Sequence, residues 1–374
     1  MSAGPIPFVD FRAHVARLRP ELDLALARVL DSGWFVLGPE GEAFERELAR
    51  ALGAQDAVAV GNGTDAIHLA LRARGVGPGD EVVTSSISAA FSALAILHAG
   101  ARPVFVDVDP QTLNIDPAAA ARAITPRTRA LLPVHLYGHP AEMDPLLALA
   151  RERGLVLVED ACQAHGARYR GRPVGTLAGE QGLGALSFYP TKNLGALGDG
   201  GAILVNDGAT AALLRQLRNG GQRDRYRHES EGFNSRLDEL QAALLRVGLR
   251  HLPAWTERRR AIAAAYDRGL EGSGVQPLGE QPYAGAVRHL YVVRHPRRDA
   301  LVEALKRRGI GTLIHYPIPL HLQPAFAFLG GKRGDLPVVE RASDEILSLP
   351  LYPELEDEAA ARVVEAVRAA AREC

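Results

Sequence analysis

The chain has 374 residues, 47% of them hydrophobic and 23% charged, enough for a large core and a second, smaller domain. A formal net charge of −1 gives no basic footprint for nucleic acid or an anionic membrane, so a small molecule is the expected ligand. Two cysteines, Cys162 and Cys374, with no CxxC pair, argue against a disulfide framework and a zinc site and fit a reducing compartment. The amino terminus meets charge early and has no signal-peptide core, and no apolar run reaches the length of about 18 residues that a membrane helix needs. A cytoplasmic protein is expected, with no metal.

Short β-branched runs then alternate with helical stretches. DAVAV at 56–60 precedes a helix over 65–74; EVVTSS at 81–86 precedes a small-residue stretch to His98. PVFVDV (103–108), ALLPVHL (130–136), LVLVED (155–160), ALSFY (185–189) and AILVND (202–207) continue the series. Apolar runs separated by helices predict a mainly parallel sheet covered on both faces. From Asn234 the period changes: SRLDELQAALLRVGLRHL opens with a Ser235/Asp238 capping arrangement and carries Leu237, Leu240, Leu244 and Val247 at helical spacing. This helix reads as the bridge between a large domain over 1–250 and a smaller α+β domain over 251–374. The latter holds one βα-like unit, the proline-rich HYPIPLHLQP and a closing amphipathic helix after Pro353.

Ligands of open parallel sheets sit outside the carboxyl ends of the strands, so the residues following each run belong together. After DAVAV comes GNGTDAIHLAL, where Gly61 and Gly63 permit a tight turn and Thr64 starts a helix whose free amides suit a phosphate. After LVLV comes EDACQAH, with Asp160; taken alone, such an aspartate is a helix cap. After ALSFY come Thr191 and Lys192, and a lone lysine is ordinarily a solvated charge. The combination of a phosphate cradle, a strand-end carboxylate and a lysine 32 positions further on meets the needs of pyridoxal phosphate chemistry. The aldehyde takes an amine, the pyridine nitrogen an anion, and the phosphate backbone amides and hydroxyls. Lys192, Asp160, and the Gly63/Thr64 turn with Ser187 supply these in order.

EDACQAHGARYRGRPVG, SFYPTKNLGALGDGGAILVND, RYRHESEGFNSRLDELQAALLRV and LIHYPIPLHLQPAF together resemble the DegT/DnrJ/EryC1/StrS sugar aminotransferases, from IPFVDF to SLPLYPEL near the end of the chain. The resemblance implies fold type I of the pyridoxal-phosphate enzymes. It implies Lys192 as the lysine joined to the cofactor and as the proton shuttle, Asp160 as partner of the pyridine nitrogen, and Gln163 beside the ring oxygen. It implies Thr64 and Ser187 as phosphate ligands. Asn234 corresponds to an asparagine that reaches the phosphate of the neighbouring subunit, so a homodimer with shared active sites is expected. Without the resemblance, Asn234 reads as a helix cap and Ser187 as a strand hydroxyl.

SFYPxKNLG-x-GDGG and GxNSRLDExQAA side with the branch acting on nucleotide-linked 3-keto sugars, which implies amino transfer from L-glutamate to a 3-keto-6-deoxyhexose on a nucleotide such as dTDP. Alternatives are a 4-keto-sugar aminotransferase and a non-catalytic regulator that keeps the fold; a sugar dehydratase is disfavoured because Lys192 stands where such enzymes carry histidine. Tyr189, Tyr226, His315 and Tyr316 match residues around sugar and nucleotide, with core aromatics or ordinary loop residues as the plain readings. His165 and His321 have no assigned role. Two segments depart from the pattern. Where relatives place a ring-stacking aromatic or histidine, this chain has Ile87, Ser88 and Ala89, with Phe91 two residues on; after LRN, where relatives carry tyrosine, it has Gly220-Gly221.

Overall fold

The structure is a computed structural model and describes residues 4–374. Seven strands form the central sheet: β1 (Asp56–Val60), β2 (Glu81–Ser85), β3 (Arg102–Val106), β4 (Thr128–Leu132), β5 (Val156–Asp160), β6 (Leu183–Ser187) and β7 (Gly201–Val205). They lie in the order β1-β7-β6-β5-β4-β2-β3. Only β7 runs against the rest, pairing antiparallel with both β1 and β6. The expected parallel sheet is present, with boundaries shifted by up to four residues: the apolar tails of ALLPVHL and ALSFY continue past the ladder into the loops that build the site.

Two cores cover the two faces of the sheet, as the unbroken apolar character of its strands requires. One joins Phe44, Leu48, Leu131, Met143, Phe188 and Leu245; the other joins Val58, Ile67, Leu71, Val82, Ile96 and Leu214. A 32-residue helix, Glu239–Leu270, leads away from this layer. Leu245, Leu249 and Leu252 belong to the first core, whereas Ile262, Tyr266 and Leu270 enter a third, with Val293, Leu347 and Val363 of the carboxy-terminal region. Ile6 packs into that third core as well.

The bridging helix begins later than the sequence pattern suggests. Its N-cap is Asp238, which makes no side-chain cap bond. Ser235 is engaged elsewhere: its hydroxyl accepts the Gly61 amide (2.9 Å) and donates to Asp65 (2.6 Å). The capping expectation fails because a tertiary partner takes the serine. In place of a cap, buried Glu239 turns back to accept the amides of Gly38, Glu40 and Gly41, satisfying the start of the helix Pro39–Leu52. Among the described residues no helix is long and apolar enough to cross a membrane.

Candidate active site

At the carboxyl end of β1, Asn62 caps the helix Gly63–Ala73 by accepting the Asp65 amide (2.9 Å). The amides of Gly63 and Thr64 therefore head the helix, ahead of its first backbone bond from Ala66 to Asn62 (3.1 Å). Gly63 is required by close packing: a Cβ there would lie 2.6 Å from the Ser187 Cβ and 3.2 Å from the Cys162 Sγ. Gly201, which pairs with both Val60 and Ser187, has the same constraint, since a Cβ would meet the Asn62 carbonyl at 2.3 Å. The opposite direction of β7 thus brings a glycine to the strand ends, where the helix start needs room. The Ser187 hydroxyl lies at this junction and accepts the Tyr189 amide (3.3 Å).

Period-two geometry separates the two acids at the end of β5. Glu159 is fully buried and accepts the Gly175 (2.7 Å) and Leu177 (2.8 Å) amides. It also meets His135 Nε2 (3.1 Å), whose Nδ1 accepts the Ala141 amide, so a neutral imidazole completes this structural pair. Asp160, only 3% exposed, turns to the other side. One carboxylate oxygen accepts the Cys162 amide (3.1 Å) and the other the Ser92 hydroxyl (2.7 Å). Each oxygen keeps a lone pair for a further donor. Gln163 accepts the Tyr137 amide (2.7 Å) and donates to the Tyr316 hydroxyl (3.0 Å), joining the loop after β5 to the proline-rich segment.

Lys192 follows β6, its amide bonded to the Tyr189 carbonyl (2.8 Å). Burial lowers its ammonium pKa from the ordinary value, a pull that the nearby Cys162 and Asp160 oppose. His165, His289 and His315 share its surroundings, and burial first and the Lys192 charge second keep each neutral: His165 falls to about 3, His315 to about 4 and His289 well below the ordinary range. His165 is wholly buried with both ring nitrogens unpartnered. His315 Nδ1 meets the Ser348 hydroxyl (2.8 Å), and its carbonyl accepts the Tyr137 hydroxyl. Tyr316 is pushed up to about 12 by burial, so it enters any chemistry as a neutral phenol.

A pH prediction follows from these imidazoles. The unfolded chain binds protons on them near pH 6.5 while the folded chain refuses them until about pH 4 at His315 and about pH 3 at His165, so stability falls as pH drops from 6.5 toward those values. Urea midpoints of the cofactor-free protein should decline across that range, and His165→Gln should flatten the decline. An unchanged slope in that variant would contradict the assignment.

The structure brings Gly63, Thr64, Asp160, Gln163, Ser187, Lys192, His315 and Tyr316 to one end of the sheet. Tyr189, 53% exposed, is not a core aromatic. Tyr226 stands at the turn between Gln222–Asp224 and Arg227–His228, 80% exposed, with the Arg225 guanidinium 5.2 Å from its ring centre. Asn234 is exposed beside Asn219, with which it forms a backbone bridge. Tyr226 and Asn234 thus face outward on the single chain. Ile87 is sealed in a core with Val292 and Ile346, and Phe91 is 62% exposed at the start of the helix Phe91–His98.

Sequence reasoning missed several supports. Asn193 donates to the Val287 carbonyl (3.1 Å) and meets His289 Nδ1 (3.2 Å), clamping the residue after Lys192 to the segment that leads into the strand Tyr291–Arg294. His321, unassigned from sequence, meets Ser86 Oγ (2.7 Å) and Glu340 (3.1 Å), all three buried, and so fastens the proline-rich segment to the end of β2. His321→Ala should cost about 1–3 kcal/mol in chemical denaturation by stranding these partners. Nothing in the local sequence pairs Asn193 with His289 or Ser86 with His321.

A phosphate-ready helix start, a buried carboxylate and a buried lysine of lowered pKa at one end of a mainly parallel sheet define an aminotransferase-like α/β enzyme. The chain belongs to the DegT/DnrJ/EryC1/StrS aminotransferase family, whose model matches residues 17–368. It is 52% identical over 364 residues, 97% of this chain and 95% of the relative, to dTDP-3-amino-3,4,6-trideoxy-alpha-D-glucose transaminase of Streptomyces venezuelae. It superposes on the crystal structure of S. venezuelae DesV in complex with a ketimine intermediate with a TM-score of 0.96 at 52% identity, covering 99% of each chain. Bacillus subtilis NtdA with bound cofactor PMP is similar at a TM-score of 0.90 and 31% identity, covering 100% of this chain and 86% of that one.

Proposed function

We propose that this protein transfers an amino group from L-glutamate to the C3 ketone of a nucleotide-linked 6-deoxyhexose, with dTDP as the nucleotide, using pyridoxal phosphate. The observation that carries the reading is the convergence of Lys192, Asp160 and the Gly63/Thr64 helix start at three strand ends. The fit to the cofactor rests on their chemistry. The helix start offers amides to a phosphate, Gly63 leaves the space a Cβ would fill, and Asp160 retains acceptor capacity in a buried site. Bound pyridoxal phosphate supplies a carbonyl that takes up the amino group and a ring that accepts electrons from the neighbouring carbon.

Within that scheme Thr64 and Ser187 hold the phosphate and Asp160 keeps the ring nitrogen protonated. Gln163 orients the ring oxygen while Tyr316 anchors Gln163. Lys192 Nζ would hold the cofactor and, as a neutral amine, would move a proton, a role favoured by the lowered pKa. Tyr189, Tyr226, His315 and Tyr316 are proposed to contact the sugar nucleotide. Asn234 is proposed to reach the phosphate of a second copy, an assignment supported by its exposure on the single chain. The working unit is then a homodimer with a large domain over 1–250 and a small one over 251–374, acting in the cytoplasm, where its two free cysteines stay reduced.

Incubation with L-glutamate and either the 3-keto or the 4-keto nucleotide sugar, with NMR assignment of the new amine, tests the reading. An amine at C3 is expected; an amine only at C4 would replace the substrate assignment, and no 2-oxoglutarate from either would overturn the activity. A second result is expected of Gly63→Ala. The added methyl overpacks against Ser187, so PMP affinity by calorimetry should fall about 10- to 100-fold.

A further inference from the structure

The helix Phe91–His98 has no place in the cofactor assignments above, yet its second residue reaches into the site. Ser92 is 3% exposed and its hydroxyl donates to Asp160 Oδ2 at 2.7 Å. Ser88, 4% exposed and one turn earlier, lies with its Oγ 2.9 Å from the Ser92 Oγ. Because the Ser92 proton is directed at the carboxylate, Ser92 Oγ is left as the acceptor for Ser88. The two hydroxyls form a chain that ends on Asp160, in the segment SSISAAFSAL that departs from the pattern of relatives.

We propose that Ser92, backed by Ser88, is a positioning residue that holds the Asp160 carboxylate ionised and aimed at the cofactor's ring nitrogen. The proposal rests on the reading of Asp160 given above. A buried carboxylate is driven toward its neutral acid, and a neutral acid cannot keep a pyridine nitrogen protonated. Two donors oppose this, the Cys162 amide on one oxygen and the Ser92 hydroxyl on the other. The first is backbone and present whatever residue stands at 162, whereas the second is a side-chain hydroxyl that a substitution at 92 removes. The other groups facing Asp160 are the Cys162 thiol, pushed up by burial and by Asp160 itself, the Lys192 amine and the Tyr316 phenol. None of these is altered by a change at 92.

The test is the affinity of cofactor-free protein for PMP, followed by calorimetry as the pH is lowered, for wild type, Ser92→Ala, Ser92→Thr, Ser88→Ala and Asp160→Asn. Binding needs the anion and is lost in acid. Removal of a donor disfavours the anion, so the acid edge of binding for Ser92→Ala should lie about one pH unit above that of wild type. Between the two edges its affinity should be about tenfold weaker. Ser92→Thr, which keeps the hydroxyl, should restore the edge, and Ser88→Ala should move it less because it acts through Ser92. A packing role alone would weaken binding equally at every pH and leave the edge in place. A Ser92→Ala edge coincident with wild type overturns the proposal while the Asp160 reading stands. If wild type and Asp160→Asn show the same pH profile, that reading itself fails.

Discussion

Replacing Lys192 with alanine is expected to abolish amino transfer, lowering kcat by about 10⁴-fold or more, and to let the cofactor be removed by dialysis. Two functions disappear together: the amine that carries the cofactor and the base that moves the proton, the latter worth typically 10²–10⁴ alone. The second readout separates loss of chemistry from loss of fold. A lysine whose pKa is lowered by burial binds fewer protons folded than unfolded, so the wild-type protein is destabilised by it below that lowered value, and the penalty fades as pH rises to the ordinary 10.5. Stability of the cofactor-free wild type should therefore rise with pH through this window. Lys192→Ala should lack that rise and unfold at a urea midpoint no lower than wild type near neutral pH. A variant that still produces 2-oxoglutarate at the wild-type rate would remove Lys192 from the mechanism.

The parallel sheet was readable because strands buried on both faces are written as uninterrupted apolar runs, and the strand-end rule then singled out Gly63, Asp160 and Lys192 as a group. What stayed hidden was supplied by residues distant in sequence. Ser235 looks like a helix cap until its partners are seen to be Gly61 and Asp65, more than 160 residues away. Ser92 sits in a stretch with no motif, and its significance exists only because β2 and β5 lie on either side of β4 in one sheet. Tyr226 and Asn234 came from resemblance alone, and on the single chain they face solvent. The periodicity of a chain reports which face is buried, whereas a hydrogen bond between loops leaves no local trace.

Asp160→Asn is the sharpest probe of the site because the side chain is nearly unchanged in shape. The amide oxygen can keep the Cys162 amide, and the Ser92 hydroxyl can turn to accept from the new NH₂ and donate to Ser88, so the buried network survives with both hydroxyl bonds reversed. What is lost is the negative charge and one acceptor. The amide cannot pair with a protonated ring nitrogen, and breaking one side of a buried charge pair costs about 3–5 kcal/mol, equivalent to roughly 10²–10⁴ in rate where the protonated ring is needed. Because Lys192 and the phosphate cradle remain, the cofactor should still attach to the lysine, as judged by its visible absorbance. Turnover of glutamate should fall by at least 10²-fold, and Asp160→Glu, which restores charge at a different reach, should recover part of it. Near-wild-type turnover in Asp160→Asn would mean that the ring nitrogen is not protonated through this residue, and the Ser92 relay would then serve packing alone.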